Sequence, residues 1–450
     1  MVELLVLLIL TTQDSLMQEV RNFIREASGA FSRKDSNGIC SLIMLDEGNP
    51  NLQQLQSALY NMTEDSIRTI VQKETKIESR QIKDFISHYL IFTIASCLNK
   101  PSMADVYELL SSCYGTFLSF YMPADAQWLT ALLMNLSYSL IDWAILADQE
   151  NPHAKELRIS DAAAKHLSRA FNIVISDKVP NELEESKKMA LYYLANLMFR
   201  VYFKLKSTRL MPTMIANISK AGVELSQYPM NQQVTHHYYL GRYHLYQLDL
   251  RRAERELSFA FRNCPIPSQD EETDRVIYNN SRLILMYLTA CRLCLGRVPS
   301  GELLQAYDLH TYFTPLVTAV QFGNLALLRQ TLTTPDLMFW FVRKEIYLLL
   351  KEKLTVLCWR SLIRRICLVS RRPTDPPQMR VQLGALLHIA RTLTGDETYD
   401  IFDVECITAS LLDQGYIKGY IHSQKKILVL GKTNPFPTIY TVEVIEEVLS

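Results

Sequence analysis

The sequence predicts a mainly α protein: a TPR-like helical-repeat solenoid followed by a C-terminal winged-helix domain. Three observations predict it. Only 14 glycines occur in 450 residues, whereas sheet-rich chains need many glycine turns. The spacing Leu240-Gly241 … Ala253 … Leu257 … Ala260 … Pro265 is that of a tetratricopeptide repeat. Such a repeat puts a small residue where two helices touch, a larger apolar one a turn later, and a proline after the second helix. Finally, Phe402 to Lys432, FDVECITASLLDQGYIKGYIHSQKKILVLGK, reads as helix, glycine stop and two-stranded hairpin, the second half of a winged helix.

Residues 1–180 form an N-terminal helical region. The opening MVELLVLLIL is too short to span a bilayer, which takes about 20 apolar residues. It lacks the early positive charge of a secretory signal, so a packed helix or a truncated start fits it better, and no membrane insertion is expected. Helices follow over Ser66–Ile94, Tyr107–Phe120, Trp128–Leu146 (apolar nearly all round, hence buried) and Ala162–Ile175, with breaks at Asn151-Pro152 and around Pro180.

TPR-like repeats occupy 184–336. They begin with a long helix at Glu184–Leu205 and end with the hairpins Arg282–Leu295, Phe313–Phe322 and Leu325–Leu332, while Asp270–Asp274 reads as a solvated loop. Histidines stand at the repeat's tryptophan and tyrosine positions (His237, His244). The winged-helix part spans 337–437: helices at Phe339–Thr355, Trp359–Arg372 and Arg380–Leu393, a proline-rich loop at Arg371–Gln378, then the closing stretch. There Asp403 is placed to cap a helix carrying Val404, Ile407 and Leu411, Gly415 stops it, and strands Tyr416–Ile421 and Ile427–Leu430 flank a turn at Ser423–Lys426. An acidic tail occupies 438–450.

Composition and motifs exclude several classes of function. Net charge is zero and 21% of residues are charged, which excludes a globally basic nucleic-acid binder but not a local patch. Nine scattered cysteines suit reduced thiols better than a disulfide framework. No Gly-X-Gly, Gly-X-Ser-X-Gly or His-Glu-X-X-His occurs. Gly431-Lys432-Thr433 lacks the upstream glycine of a phosphate loop, since Lys426 holds that place, and it leaves a hairpin instead of opening a helix. Cys291 and Cys294 lie in an apolar helical run without two further ligands at matched spacing, so they read as core. No catalytic residue, metal site or cofactor is expected.

One constellation argues for binding. Between Arg343 and Arg372 stand nine basic residues against two acids. At about 100° per residue, Arg360, Arg364 and Arg371 fall within roughly 40° of one another, opposite Leu362, Ile366 and Val369. This predicts a helix with one buried face and an arginine stripe. Lys418, Lys425, Lys426 and Lys432 add charge on the hairpin. Clustered arginines match phosphate geometry and gain from counterion release. Arg360, Arg364, Arg365, Arg371, Arg372, Lys418, Lys425 and Lys426 are therefore the candidate nucleic-acid contacts. A solvated basic face, or one facing an acidic protein, reads the same residues equally well. The recognition-helix positions Glu405, Cys406, Ser410 and Asp413 carry no lysine or arginine, which argues against base readout.

The stretches Ser186–Leu205 (SKKMALYYLANLMFRVYFKL), His236–Cys264, Arg282–Ser300 and above all Asp403–Pro437, closing on Asn434-Pro-Phe-Pro, resemble the PCI-domain family. The resemblance is to its Thp-type branch, subunits of the transcription-and-export complex TREX-2, and it covers roughly residues 160–437. It implies a nuclear protein at nuclear pores, with the cytoplasm as a second location. It also implies a non-catalytic subunit whose winged helix packs against a Sac-type (GANP-like) scaffold subunit. A small acidic Sem-type (DSS-type) subunit would brace the complex, and a basic platform would take RNA and double-stranded DNA without sequence specificity. The signalosome-associated twelfth-subunit homologues share the closing signature and are the alternative, a scaffold without a nucleic-acid role.

Overall fold

The computed structural model describes residues 2–43, 50–60, 62–96, 102–150, 158–178, 183–265, 270–370 and 379–442. The chain divides into two compact units, Met1–Tyr239 and Leu240–Ser450. The expected breaks at Asn151-Pro152 and Pro180, the loop Arg371–Gln378 and most of the acidic tail lie outside the described residues.

The first unit is helical throughout. Its elements are α1 (Val2–Arg33), α2 (Ser36–Leu42), α3 (Pro50–Leu59), α4 (Glu64–Glu74) and α5 (Arg80–Ala95). After these come α6 (Met103–Tyr121), α7 (Thr130–Glu150), α8 (Ile159–Ile175), α9 (Leu191–Leu205) and α10 (Met211–Lys220). By length and composition, 124–150 is the one stretch among the described residues able to cross a membrane. Here α7 packs on α6, α8 and α9 and buries Leu132, Leu133, Leu136, Leu140 and Ile141, as a core helix does. The expected long helix Glu184–Leu205 instead opens with 3-10 turns at Leu183–Glu185 and Lys187–Ala190. Lys187, in the second of these turns, is buried, and its ammonium donates to the carbonyls of Tyr121 (2.7 Å), Met122 (3.1 Å) and Pro123 (2.6 Å). Those carbonyls close α6, and a cation there satisfies acceptors the helix leaves free.

His236 gives this unit a pH dependence. It is 4% exposed, its Nδ1 meets the Asn196 side chain at 3.0 Å, and its ring packs edge-on to Tyr192. Burial, with His237 nearby, pushes its pKa down to about 3. The unfolded chain, near the ordinary value, therefore binds this proton more readily than the folded chain. Stability is complete above about pH 6.5 and falls as pH drops toward the folded value. At pH 5 the loss is about 2 kcal/mol. Urea unfolding at pH 7 and pH 5 should show a larger loss for the wild type than for His236→Gln, by about that amount.

α11 (Met230–Tyr246) contains the boundary between the units. Its C-terminal turns and α12 (Leu250–Arg262) form the predicted repeat pair. A Cβ on Gly241 would lie 2.5 Å from Leu257 Cγ, so the small residue is required where the helices touch. The second unit continues with α13 (Glu271–Cys294), α14 (Gly301–Ala306), α15 (His310–Phe322), α16 (Leu325–Thr333), α17 (Pro335–Arg343) and α18 (Tyr347–Ser370). Asp270–Asp274 is not a loop: Asp270 accepts from the Thr273 amide as the N-cap, and its acidic neighbours fill the first turn of α13. Cys291 and Cys294 are buried, and the Cys291 thiol donates to the Leu250 carbonyl.

The winged helix follows α18: β1 (Arg380–Gln382), α19 (Leu383–Thr394), α20 (Ile401–Asp413), β2 (Gly419–His422) and β3 (Ile427–Leu430). The sheet is antiparallel in the order β1-β3-β2. Thus the chain is mainly α, with helical repeats and a C-terminal winged helix. Several boundaries differ from expectation. The helices expected over Phe339–Thr355 and Trp359–Arg372 are α17 and the single long α18, broken at Glu345 (φ 61°). Arg380–Gln382 is a strand, pairing Val381 with Leu428. Asp400, not Asp403, caps α20. Its carboxylate accepts from the Asp403 amide while the Asp403 carboxylate accepts from the Asp400 amide, both at 2.8 Å, which is a capping box. Gly415 follows in the left-handed region at φ +77°, as expected of a helix stop.

Candidate nucleic-acid interface

The eight candidate cations do not form one surface. α18 is the central helix of its unit, packing on α13, α15, α16 and α20. It is buried at Leu357, Cys358, Trp359, Leu362 and Ile363, on more than one side. The wheel that placed an arginine stripe opposite one buried face therefore fails. Arg360, 6% exposed, points inward and donates to the Tyr416 carbonyl (3.3 Å) and the Pro437 carbonyl (2.6 Å). Burial, with Arg364 adding repulsion, draws its pKa down to about 10. Arg360 holds structure together and is not a nucleic-acid contact. Val369, expected on the buried face, is 80% exposed.

The other candidates divide. Arg365 is exposed, but it donates to the Phe322 carbonyl (3.3 Å) and lies over the Phe322 ring, closing the C-terminal end of α15. Lys426 pairs with Glu405 of α20 and sits over Phe402. The hydrogen bond from Lys426 holds the Glu405 carboxyl below its ordinary range. That pair is invisible to local sequence patterns because it joins a hairpin turn to a helix 21 residues away. Arg371 and Arg372 lie outside the described residues. Arg364, Lys418 and Lys425 remain: all are exposed, and none meets a carboxylate among the described residues. Arg364 is one helical turn beyond Arg360, the side of α18 that meets Tyr416, and Lys418 follows Tyr416 by two residues. On α20, Cys406, Ser410 and Asp413 are exposed and Glu405 is already paired.

Two further features go beyond what the sequence suggests. Phe402, Tyr420, Leu368 and Val369 are each more than half exposed, a set of apolar side chains open to protein docking. Its only sequence signal, apolar residues just before a proline-rich loop and at the start of α20, is indistinguishable from that of a core. The segment after β3 is also more than a domain end. It runs back over the repeats: Ile439 lies on Gly296, the Arg297 guanidinium stacks 3.7 Å over the Tyr440 ring, and Arg251 donates to the Tyr440 and Val442 carbonyls. Arg297 and Arg292 share the buried Glu254 carboxylate at 2.6 and 3.1 Å, so this strap is anchored through an ion-pair network. Among the described residues no group of three or more His, Cys, Asp and Glu is placed to hold a metal ion.

Comparison with known proteins gives the following. No family model matches the chain. A PCI domain-containing protein of Schizosaccharomyces pombe is 33% identical over 429 residues, 93% of this chain and 94% of the relative. PCI domain-containing protein 2 of Xenopus laevis is 33% identical over 77% of this chain and 83% of its own length. The Danio rerio protein of the same name is 31% identical over 80% and 85%.

Proposed function

We propose a function from one premise: this chain belongs to the PCI domain-containing protein 2 family. It is accordingly a PCI scaffold subunit. Beyond that, our reading is a non-catalytic subunit of the TREX-2 mRNA-export complex, acting at nuclear pores. It packs its winged helix against a Sac-type scaffold subunit, is braced by a small acidic Sem-type subunit, and presents a backbone-reading surface for RNA and double-stranded DNA. The observation that carries this reading is a contrast between α18 and the hairpin on one side and α20 on the other. Arg364, Lys418 and Lys425 stay exposed without carboxylate partners among the described residues, while the face of α20 that would enter a major groove offers no cation. Such a surface suits phosphates and not base edges. The exposed Phe402 and Tyr420 supply the apolar component of a docking face.

Arg364→Glu, Lys418→Glu and Lys425→Glu together should weaken binding of the purified complex evenly across sequences. The slope of log affinity against log salt should fall by about three, roughly one for each phosphate no longer neutralised. Unchanged affinity and slope would remove nucleic acid from the reading. Co-purification separates it from signalosome-type membership: a Sac-type partner supports the reading, and signalosome subunits overturn it.

A further inference from the structure

The second unit contains a cleft of about 350 Å³ with three walls. α18 supplies Tyr347, Lys351 and Trp359, residues at four-residue multiples and so on one side of the helix. α16 supplies Leu325, Leu328 and Leu332, again at helical spacing and almost fully buried. The link from α19 to α20 supplies Asp396 and Tyr399. Arg329 of α16 ties that link down through the Asp396 carboxylate at 2.9 Å. We infer that this cleft binds a small two-ring aromatic carboxylate.

Three observations define the ligand. The first is size. Small-molecule clefts begin near about 300 Å³, and an apolar cavity of about 150 Å³ takes one benzene ring, so a body of about two rings fills this one. The second is a set of unused donors. Trp359 is 2% exposed and lines the cleft, yet its indole N–H meets no acceptor among the described residues. The Tyr399 ring packs edge-on to Trp359 at 6.0 Å, and its hydroxyl has no partner there either. Burial raises the Tyr399 pKa, so the hydroxyl keeps its proton. The hydroxyls of Thr333, Thr355 and Thr394, by contrast, each donate to a carbonyl one turn back. A buried donor left unmatched is costly, and a carboxylate accepts from several donors at once. The third is charge. Arg329 and Asp396 neutralise each other, and hydrogen bonds from Thr398, then from Arg329, hold the Asp396 carboxyl below its ordinary range. Lys351, at the exposed rim, meets no carboxylate among the described residues. One positive charge is therefore left over, which a monoanion balances. The leucine wall and the flat rings of Trp359 and Tyr399 match an aromatic body. A phosphate dianion would bring a second charge against leucine with no cation to meet it.

The test uses the full chain and 2-naphthoate as the probe. Titration calorimetry should show one site, and 2-naphthamide, the same body without the charge, should bind at least tenfold more weakly. The chain has four tryptophans, so isotope-labelled tryptophan gives four indole N–H signals by NMR. The signal missing from Trp359→Phe should be the one that naphthoate shifts. Lys351→Gln should weaken binding about tenfold and Tyr399→Phe severalfold, neither lowering the melting temperature, because neither group has a partner to lose. Thr333→Trp, at the exposed rim, should block the cleft. The reversals at Arg364, Lys418 and Lys425 should leave binding unchanged, which keeps this result separate from the reading of the winged helix. No binding by the wild type, an unmoved Trp359 signal, equal affinity for the amide, or indifference to both Lys351→Gln and Thr333→Trp would each overturn the inference. So would loss of naphthoate binding once the chain is assembled with its co-purifying subunits, which would make the cleft an anchor for a protein side chain.

Discussion

Arg360→Ala is expected to lower the stability of the winged helix by about 3 kcal/mol, and to do so without removing a nucleic-acid contact. The guanidinium serves two carbonyls, Tyr416 in the turn between α20 and β2 and Pro437 in the strap, and it lies near the Phe436 ring. Hydrogen bonds from a charged donor contribute about 1.5–3 kcal/mol each. Relief of the buried charge, which draws the Arg360 pKa down, offsets part of that sum. The truncation leaves two acceptors facing a void, and buried acceptors left unmatched are the costly outcome. Arg360→Lys should recover only part of the loss, because one ammonium cannot reproduce the planar fork. Hydrogen exchange on the intact chain reads this directly: amides of α20, β2 and β3 should lose protection about 100-fold, the equivalent of roughly 3 kcal/mol. Arg364→Ala, four residues on and exposed, should change stability by less than about 0.5 kcal/mol. Equal behaviour of the two variants would contradict the inward placement of Arg360.

Gly323→Ala should be at least as damaging. Gly323 ends α15 at φ +67°, and a Cβ there would lie 2.3 Å from the Leu362 amide nitrogen and 2.6 Å from Leu362 Cα. The left-handed conformation costs a non-glycine residue about 1 kcal/mol. The clash with backbone is the larger part, since α18 cannot retreat without disturbing its packing on the other helices around it. A total near 3–4 kcal/mol is expected, corresponding to a drop of about 10 °C in the unfolding of the second unit. Gly395→Ala supplies the comparison: its φ is +65°, but nothing lies within 4 Å of the added Cβ. It should lose only the conformational share, about 1 kcal/mol. If both alanines cost the same, the close approach of α15 to α18 is not the source of the constraint.

The parts of this protein that were legible in its sequence are those governed by neighbours in the chain. The repeat pair around Gly241 and Leu257, the stop at Gly415, the turn at Ser423–Lys426 and the strand Ile427–Leu430 depend on local spacing and turn chemistry. All stand where that spacing puts them. Errors arose where a residue's surroundings come from distant segments. The helical wheel for Arg360 assumed one neighbour for α18, but several helices and the strap surround it. Lys426 looked free because its partner Glu405 lies in another element. Arg380–Val381–Gln382 is too short to declare itself a strand, and only β3 beside it makes it one.

Helical periodicity, capping aspartates and glycine stops determined by themselves that this chain is helical repeats ending in a winged helix, because those signals act over one or two turns. Which cations face solvent was decided only by the tertiary structure. The charge on a side chain is a property of the residue, whereas its access to water depends on every segment that packs against it. At Arg360 that segment, Pro437, lies 77 residues away.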